Sequence, residues 1–532
     1  MKNVKKVIIV TGGVISGVGK GIIASSLGRL LKNSGLKVTI QKFDPYLNLN
    51  AGTMNPLQHG ECYVLADSAE TDLDLGHYER FISETLTKSS NVTAGQIYSS
   101  IIKKERRGDY LGNTVQIIPH VTNEIKSRIK EVSESNDSDI AIVEIGGSVG
   151  DIESLPFLEA VRQLKIELGN DNVCYVHVGL VPYLEASKEL KTKPIQVSVK
   201  QLQSLGIQPD ILVCRIEKGD LTQEIKNKIA LFCNVEVSNI IQCNNVDTIY
   251  EVPLVLSDEK LDERVKNKLN IKTSTPDHSR LKSIVDKMKK ANNKTKIAIV
   301  GKYVELHDAY ISIVESLRIA GGYSDTKVEI EFIDSEELTE FNVKDKLKNA
   351  KGVIVPGGFG ARGIEGMIIT SKYCRENNIP YLGICLGMQI AAIDFARNVL
   401  NLSDANSEEF EDTENKIIHI MDEQKTITDK SGTMRLGEYK TILSEESKTF
   451  KFYNEKEILE RHRHRYEFNN AYREEFIKNG MNIVGTSPDG KLVEIIEYSK
   501  NKFFVGVQFH PEFKSRITTS HPLFVNLIKA TL

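Results

Sequence analysis

Short apolar runs alternate along the chain with longer segments in which apolar residues recur at helical spacing. This alternation is typical of βαβ units, in which helices cover both faces of a parallel sheet. Two series of runs are present: residues 5–10, 37–43, 139–145, 172–178 and 210–216, and then residues 296–302, 351–358, 380–387 and 502–509. The pattern predicts an α/β protein of two domains, each a mostly parallel sheet flanked by helices.

The two series are separated by residues 265–296, which are rich in Lys, Asn, Ser and Thr and contain one helical stretch. We therefore predict an N-terminal domain over 1–266, a linker over 267–294 and a C-terminal domain over 295–532. The length of 532 residues agrees with two domains, because single hydrophobic cores stop growing at about 250–300 residues.

Composition narrows the class of protein. Hydrophobic residues make up 40% and charged residues 27% of the chain, and the net charge of −3 argues against a generally basic nucleic-acid binder. The seven cysteines lack CxxC or CxxH spacing, which favours a reducing compartment. No apolar run approaches the roughly 18–20 residues of a membrane span, and the first run ends in Thr-Gly-Gly rather than a cleavage site. We expect a cytoplasmic protein that binds neither nucleic acid nor membrane.

The first apolar run leads into VTGGVISGVGKGIIASSLGRLL (10–31), where glycines surround Lys20 ahead of an apolar-periodic helix. Glycine N–H groups and a helix start attract phosphate, and the lysine adds a full positive charge. The stretch departs from the Walker pattern, because five residues separate Gly13 from Gly19 and Gly21 replaces the hydroxyl residue that binds Mg²⁺. A tight β–α turn also explains glycines, but not the lysine. We predict a phosphate-binding loop whose metal ligands come from elsewhere.

Carboxylates for such a metal lie at Asp72, Asp74 and Glu144. Mg²⁺ on a nucleotide usually takes one or two carboxylates together with phosphate oxygens. Glu144 interrupts an apolar run at its end, where open α/β sheets bind ligands. Asp74 alone equally suits a solvated or helix-capping acid.

Lys191 and Lys193 flank a threonine and precede Pro194 and Gln196. Two lysines on a loop restrained by proline suit a second polyphosphate, and an amide can hydrogen-bond a base or sugar. Taken alone, a segment of this kind is usually a solvated loop.

The run PYLGICLGMQIA (380–391) places Cys385 between two glycines, where a strand ends and a helix begins. This is the pattern of a nucleophile elbow, which exposes the side chain and favours its thiolate. His510 and Glu512 directly follow another predicted strand, and extended geometry would place them on one side as base and orienting acid. Gly357 and Gly358, also after a strand, would supply N–H donors to an oxyanion. The residues predict a cysteine-dependent hydrolase site.

Several motifs carry a family resemblance. PGGFG, GICLGMQ and QFHPEF resemble a class I glutamine amidotransferase domain. Others resemble the synthetase domain of the CTP synthase family: VTGGVISGVGKG, QKFDPYLN, GTMNPLQHGE, TDLDLGHYERF, EIGGSVGDIE, KTKPIQ and ALFCNV. The motifs span nearly the whole chain in the family's order.

The resemblance implies a ligase in which ATP phosphorylates O4 of UTP, and ammonia from glutamine hydrolysis displaces that phosphate to give CTP. It implies Cys385, His510 and Glu512 as catalytic residues, Lys20 and Lys42 in phosphoryl transfer, and Mg²⁺ at Asp74 and Glu144. ATP would contact Gly17, Val18, Gly19, Lys20, Gly21, Ile22, Asp74 and Val246. UTP or CTP would contact Ser16, Asp151, Ile152, Glu153, Lys191, Thr192, Lys193, Pro194, Ile195, Gln196 and Lys228. Glutamine would contact Gly358, Leu386, Gly387, Met388, Gln389, Glu409 and Arg465.

The resemblance also implies activation by GTP, product inhibition by CTP, and a homotetramer of dimers that can form filaments. TMRLG (433–437) and RHRHRYE (461–467) would belong to the GTP-responsive lid and the glutamine pocket. His462 and His464 have no third ligand at metal-site spacing. Asn244 and Asn245 stand where charged residues are typical of the family.

Two alternatives remain open at this point. One is a glutamine-dependent synthetase that aminates a purine nucleotide, against which the 191–196 loop and the GDIE segment argue. The other is a structural or filament-forming protein that retains inactive enzyme folds, against which the intact Lys20, Glu144 and Cys385 argue.

Overall fold

The computed structural model describes residues 6–135, 137–421, 424 and 433–532. The chain divides into two compact units. The first unit runs to Leu49 and resumes over His77–Val285, whereas the second contains Asn50–Gly76 and Asp286–Leu532. The chain therefore passes from one unit to the other three times.

The sheet of the first unit contains seven parallel strands among the described residues. Their order across the sheet is Ile240–Asn244, Ile211–Ile216, Val173–Leu180, Lys6–Gly13, Ile140–Ile145, Val38–Asp44 and Asn91–Thr93. All five predicted strands are found, although Lys5 lies outside the described residues. The two missed strands form the sheet edges; one has three residues and the other ends in polar residues, so neither gives a clear apolar run.

Helices flank this sheet and their apolar faces complete its core, as expected for strands that are buried on both sides. The helices are Lys20–Asn33, Ala94–Arg106, Thr122–Ser135, Leu155–Leu168, Lys193–Ser204, Gln223–Cys233, Val252–Asp258 and Leu261–Lys268. Helices Asp74–Ile82 and Ser279–Lys289 contain the points where the chain passes between units. A short hairpin pairs Tyr183–Leu184 with Glu189–Leu190.

The main sheet of the second unit has nine strands within the described ranges. Five are parallel, in the order Thr326–Asp334, Asn293–Gly301, Gly352–Val355, Tyr381–Ile384 and Phe504–Val507. Four antiparallel strands extend it: Val493–Tyr498, Met481–Thr486, Arg435–Leu443 and Glu457–His464. The helices are Pro56–His59, Ile311–Tyr323, Val343–Leu347, Ile364–Glu376, Leu386–Asn398, Lys448–Tyr453, Arg473–Lys478 and Pro522–Thr531. The α/β architecture is thus confirmed, with an antiparallel extension that the apolar runs did not indicate.

Two smaller sheets complete the second unit. One joins Asn406–Ser407, Lys416–Ile420 and Tyr466–Phe468, and the other is a hairpin of Tyr63–Val64 and Glu70–Thr71. The hairpin belongs to segment 50–76, which packs within this unit: the Tyr63 hydroxyl donates to the Phe513 carbonyl at 2.8 Å. No described helix is both long and apolar enough to cross a membrane.

Candidate active sites

Cys385 occupies the turn between strand Tyr381–Ile384 and helix Leu386–Asn398, with φ of +52°. A non-glycine residue in this region is strained, and such strain is typical of nucleophile elbows. The flanking glycines are sterically required. A Cβ on Gly383 would lie 2.5 Å from the Gly387 carbonyl carbon, and a Cβ on Gly387 would lie 2.0 Å from the Val355 carbonyl oxygen. The glycines therefore let the strand, turn and helix pack closely enough to present the thiol.

His510 and Glu512 form the expected pair, with His510 Nδ1 2.8 Å from Glu512 Oε1. The expectation that extended backbone places them together is wrong, because Pro511–Lys514 form a 3₁₀ turn. The His510 N–H donates to the Arg461 carbonyl at 2.8 Å, which fixes the start of this turn. Burial by itself lowers the pKa of His510, but the charges of Glu512 and Cys385 raise it to about 10.

Gly357 lies against both the imidazole and the cysteine. A Cβ on this glycine would approach His510 Cε1 to 2.9 Å and Cys385 Cβ to 3.7 Å. Thiol, imidazole and carboxylate thus meet beside the Gly357-Gly358 turn, as a nucleophile, a base and an orienting acid require. When the sulfur adds to a carbonyl carbon, the negative charge that forms on the carbonyl oxygen would lie near the N–H groups of that turn.

Two further groups contact the thiol and were missed by the sequence reasoning. Gln508 Nε2 lies 3.6 Å from Cys385 Sγ, and the Arg463 carbonyl oxygen lies 3.7 Å from it. Gln389 Nε2 in turn donates to Gln508 Oε1 at 3.2 Å. Gln508 belongs to the QFHPEF motif, so its closeness in sequence to His510 could have indicated a contact with the thiol. For Arg463, the sequence offers only its position in RHRHRYE.

Of the residues expected to bind glutamine, Leu386 to Gln389 begin the helix directly after Cys385, and Gly358 lies against Leu386. Glu409 Oε1 accepts from the Gly360 N–H at 2.8 Å, and burial raises the pKa of Glu409. Lys302 Nζ donates to the carbonyls of Phe359, at 3.0 Å, and Gly360. Burial lowers the pKa of Lys302 to about 8. Arg465 donates to Gln424 Oε1 and Thr433 Oγ1.

A cavity of about 170 Å³ opens beside Cys385 and His510. Segment 50–76 contributes much of its wall, through Gly52, Thr53, Met54, Pro56, Glu61 and Cys62. The segment is held by Arg463, whose Nε lies 3.0 Å from Glu70 Oε1 and whose Nη2 donates to the Gly52 carbonyl at 2.9 Å. A Cβ on Gly52 would lie 2.1 Å from Glu70 Oε2, so a larger residue there would displace the Glu70 carboxylate from Arg463. Residues far from the triad in sequence therefore line its cavity.

In the first unit the glycine-rich loop ends at Gly19, with φ of +94°, and Lys20 begins the helix. Lys20 is buried, and its Nζ donates to the Gly147 carbonyl at 2.6 Å. A Cβ on Gly12 would lie 2.9 Å from Lys20 Cδ, so the side chain lies across the loop backbone. A buried cation at a helix start is the anion-binding arrangement that the sequence predicts.

Glu144 is the penultimate residue of strand Ile140–Ile145 and is flanked in register by Val10 of the loop strand and by Lys42. Glu144 and Lys42 are both buried. The Tyr78 hydroxyl donates to Glu144 Oε2 at 2.5 Å, and Lys42 Nζ lies 3.2 Å from Asp44 Oδ1. A lysine and a carboxylate thus lie side by side next to the phosphate loop.

Asp74 begins helix Asp74–Ile82 and belongs to the second unit, whereas Glu144 belongs to the first. The Asp74 N–H donates to Asp72 Oδ1 at 3.1 Å. Across the described residues, no group of three or more His, Cys, Asp or Glu side chains has the arrangement of a metal site. His462 and His464 instead lie in a buried cluster with Arg435 and Glu494.

The residues expected to bind the uridine nucleotide belong to several segments of the first unit: Ser16 lies in the glycine-rich loop, Asp151 and Glu153 in the turn after strand Ile140–Ile145, Lys191 to Gln196 at the start of helix Lys193–Ser204, and Lys228 in helix Gln223–Cys233. Asp151 Oδ2 accepts from the Ser148 N–H at 2.6 Å. Thr192 precedes helix Lys193–Ser204, and its hydroxyl accepts from Gln196 Nε2 at 2.9 Å. Ser16, Ile152, Glu153 and Lys228 are exposed. Asn245 follows strand Ile240–Asn244, and its Oδ1 accepts from Arg215 Nη2 at 2.9 Å, so this asparagine takes part in the local packing.

Residues 6–271 match the family model of the CTP synthase N-terminus, and residues 305–530 match that of class-I glutamine amidotransferase. A CTP synthase of Clostridium kluyveri is 57% identical over 99% of this chain and 98% of its own length. The chain belongs to the CTP synthase family. A CTP synthase of Bacillus velezensis is 55% identical over the same shares. Among solved structures, the glutaminase domain of Trypanosoma brucei CTPS with bound acivicin is 37% identical, covering 44% of this chain and 93% of its own, with a TM-score of 0.42.

Proposed function

We propose that this protein is a glutamine-hydrolysing CTP synthase, which uses ATP to aminate UTP. The observation that carries the proposal is the presence of a buried Cys385–His510–Glu512 site in one unit and a lysine-bearing phosphate loop in the other, on a chain of this family. There are two alternatives: an enzyme that aminates a purine nucleotide, and an inactive protein that keeps the enzyme fold. The assay below distinguishes both from the proposed function.

In the glutaminase reaction, the Cys385 sulfur attacks the amide carbon of glutamine and His510 carries the proton to the leaving ammonia. Glu512 holds the His510 ring and stabilises its positive charge, which agrees with the direction of the pKa shift. The N–H groups of the Gly357-Gly358 turn stabilise the oxyanion. Glutamine is held by Gly358, Leu386, Gly387, Met388, Gln389, Glu409 and Arg465.

In the synthetase reaction, residues 17–22 hold ATP phosphates, and Lys20 and Lys42 balance charge on the phosphoryl group that moves to O4 of UTP. Asp74 also faces ATP, as does Val246. The uridine nucleotide is held by Ser16, Asp151, Ile152, Glu153, Lys191, Thr192, Lys193, Pro194, Ile195, Gln196 and Lys228. Phosphorylation is needed because a carbonyl oxygen leaves poorly, whereas phosphate leaves readily when ammonia attacks C4.

The carboxylates Asp74 and Glu144 fit Mg²⁺, since hard cations prefer oxygen ligands and Glu144 lies near the end of a strand beside the phosphate loop. When bound, Mg²⁺ would neutralise phosphate charge. Glu144 would keep its hydrogen bond from Tyr78, which orients the carboxylate.

Ammonia must travel without becoming unreactive ammonium in bulk water. We propose that it leaves Cys385 through the cavity walled by segment 50–76, because this cavity joins the thiol to a segment that continues into Asp74. The proposal also includes an N-terminal domain over 1–266 and a C-terminal domain over 295–532, joined by a linker. It further includes activation by GTP, inhibition by CTP, a homotetramer that can form filaments, and a cytoplasmic location.

The test is CTP formation from UTP, ATP and glutamine with Mg²⁺, with and without GTP. CTP formation that requires all three substrates supports the proposal. No amination of UTP, or amination of a purine nucleotide instead, would refute it.

A further inference from the structure

Three polar side chains form a buried chain beneath the phosphate loop, and the reaction described above uses none of them. Thr11 Oγ1 lies 2.9 Å from His177 Nδ1, and His177 Nε2 lies 2.9 Å from Ser198 Oγ. Their exposed fractions are 1%, 0% and 0%. This row of hydrogen-bonded side chains therefore links the strand before the phosphate loop to helix Lys193–Ser204, which begins with the proposed uridine-nucleotide residues.

The backbone brings these elements unusually close. Thr11 pairs with His177 on the neighbouring parallel strand, and Gly13 pairs with Gly179 two residues further on. A Cβ on Gly13 would lie 2.3 Å from Ser198 Oγ, and a Cβ on Gly179 would lie 2.6 Å from Ile195 Cγ1. Helix Lys193–Ser204 thus packs directly against the backbone of Gly13 and Gly179. The distance between this helix and the sheet therefore depends on the side chains that lie between them.

The imidazole of His177 is uncharged. Burial and the nearby positive charge of Lys20 lower the pKa of His177 to about 3. A neutral imidazole has one donor and one acceptor nitrogen, and hydroxyl groups fill either role, so both ring nitrogens are satisfied. His177 is therefore a rigid, satisfied bridge with no charge of its own.

We propose that His177 is a positioning residue for phosphoryl transfer, which fixes the separation of the phosphate loop and the uridine-nucleotide helix through Thr11 and Ser198. This inference rests on the proposed function. Transfer from ATP to UTP needs both nucleotides in near-attack geometry, and small misplacements are costly to the rate. His177 is fully buried and cannot reach a bound nucleotide, so its loss should harm alignment more than binding.

The experiment measures ammonia-dependent CTP synthesis and, separately, binding of UTP and of a non-hydrolysable ATP analogue by calorimetry. Ser198→Ala should lower kcat by about 10-fold or more while changing each Kd by less than about 3-fold, because alignment is realised only when both substrates are bound. Thr11→Val should act similarly and Thr11→Ser should restore the rate. The double variant should cost less than the product of the single losses, because both act through one imidazole.

Two further variants separate the two bonds. His177→Asn keeps a polar atom near the Nδ1 position and His177→Gln near the Nε2 position, so each should retain one bond and show an intermediate rate. Ser138→Ala is the matched control: its buried hydroxyl donates to the Ser133 carbonyl at 3.2 Å, just before strand Ile140–Ile145 and away from the strand ends that carry the loop. It should match the unmodified protein in rate.

Unchanged kcat in both Ser198→Ala and Thr11→Val would overturn the inference and leave His177 as an ordinary core residue. The same conclusion would follow if these variants lowered Tm without lowering kcat. Those results, with normal CTP formation by the unmodified protein, overturn the inference alone. Failure of the unmodified protein to form CTP would overturn the proposed function and this inference with it.

Discussion

At the scale of single residues, Lys302 shows how burial can make glutamine binding depend on pH. Its ammonium group donates to the Phe359 and Gly360 carbonyls, and Gly360 in turn donates to Glu409. Burial lowers the pKa of Lys302 from 10.5 to about 8, so the group is charged at pH 7 and neutral at pH 9. The turn beside the oxyanion site is therefore held most firmly below pH 8.

We predict that the KM for glutamine rises as the pH increases through about 8, because the neutral amine binds the two carbonyls less strongly. Glutaminase kinetics between pH 6.5 and 9.5 measure this. Lys302→Met should show a high KM throughout with no step, whereas the exposed-pair control Lys372→Met should keep the step. His510, whose pKa is about 10, loses its proton only at the upper end of this range. A step that persists in Lys302→Met would rule out this lysine as its source.

The same lysine affects stability in the opposite direction. Because its folded-state pKa is below the unfolded value, the unfolded chain binds the proton more tightly. The penalty for burying the charge is full below pH 8 and is relieved between about 8 and 10.5. Lys302→Met should therefore stabilise the protein most below pH 8, which denaturant unfolding at pH 7 and pH 10 would show.

Glu144→Gln tests the proposed metal ligand, because it removes a charge with almost no change in size. CTP synthesis should fall by about 100-fold or more with either nitrogen source, since even indirect partners of a metal ion contribute roughly 10–100-fold. Glutaminase activity should persist. Normal synthesis at ordinary Mg²⁺ concentration would contradict a ligand role.

At the scale of elements, the hairpin in segment 50–76 is fastened to the second unit by an ion pair. The side chain of Glu70 is fully buried, and that of Arg463 is 13% exposed. The same arginine presents its carbonyl oxygen to Cys385 Sγ. Displacement of the hairpin should therefore disturb the backbone next to the nucleophile.

We predict that Glu70→Gln destabilises the protein by about 3–5 kcal/mol, because it removes one partner of a buried ion pair. It should also lower glutaminase activity through the backbone of Arg463. Calorimetric Tm and steady-state glutaminase assays measure the two effects. Glu340→Gln is the control, because its exposed pair with Lys372 contributes at most about 1 kcal/mol. Unchanged glutaminase activity in folded Glu70→Gln protein would show that the hairpin and the nucleophile are independent.

These elements also show what the sequence can and cannot predict. The elbow at Cys385 and the loop at Lys20 are local patterns, in which glycine spacing and one side chain report the backbone directly. Glu70 and Arg463 are 393 residues apart, and nothing in either segment indicates the other. The antiparallel strands were missed for a related reason: Glu457–His464 contains few apolar residues, and its pairing with Arg435–Leu443 depends on tertiary contacts.

At the scale of the whole molecule, one chain carries a site that releases ammonia and a site that consumes it. The return of segment 50–76 to the second unit means that sequence from the synthetase half walls the thiol cavity. If ammonia stays inside the protein, the two half-reactions should be separable by mutation but should not be shared between chains.

Cys385→Ala should lose glutaminase activity and glutamine-dependent CTP synthesis, because alanine cannot form the thioester. It should keep synthesis from ammonium chloride at raised pH, where NH₃ is available. Lys20→Ala should show the reverse, with no synthesis from either source but with glutamine hydrolysis intact. The change from the CH₂SH side chain to CH₃ removes one buried heavy atom and costs only about 1 kcal/mol, so unfolding does not explain the first result.

The decisive measurement mixes the two variants after each has been purified. Glutamate should form, because Lys20→Ala protein still hydrolyses glutamine, yet CTP should stay near background at neutral pH because the released ammonia becomes ammonium in bulk water. Adding ammonium chloride at raised pH should restore CTP formation by the Cys385→Ala protein in the same mixture. If the mixture makes CTP from glutamine at the rate of the unmodified protein, ammonia passes freely through solvent, and the cavity beside Cys385 is not the start of a protected passage.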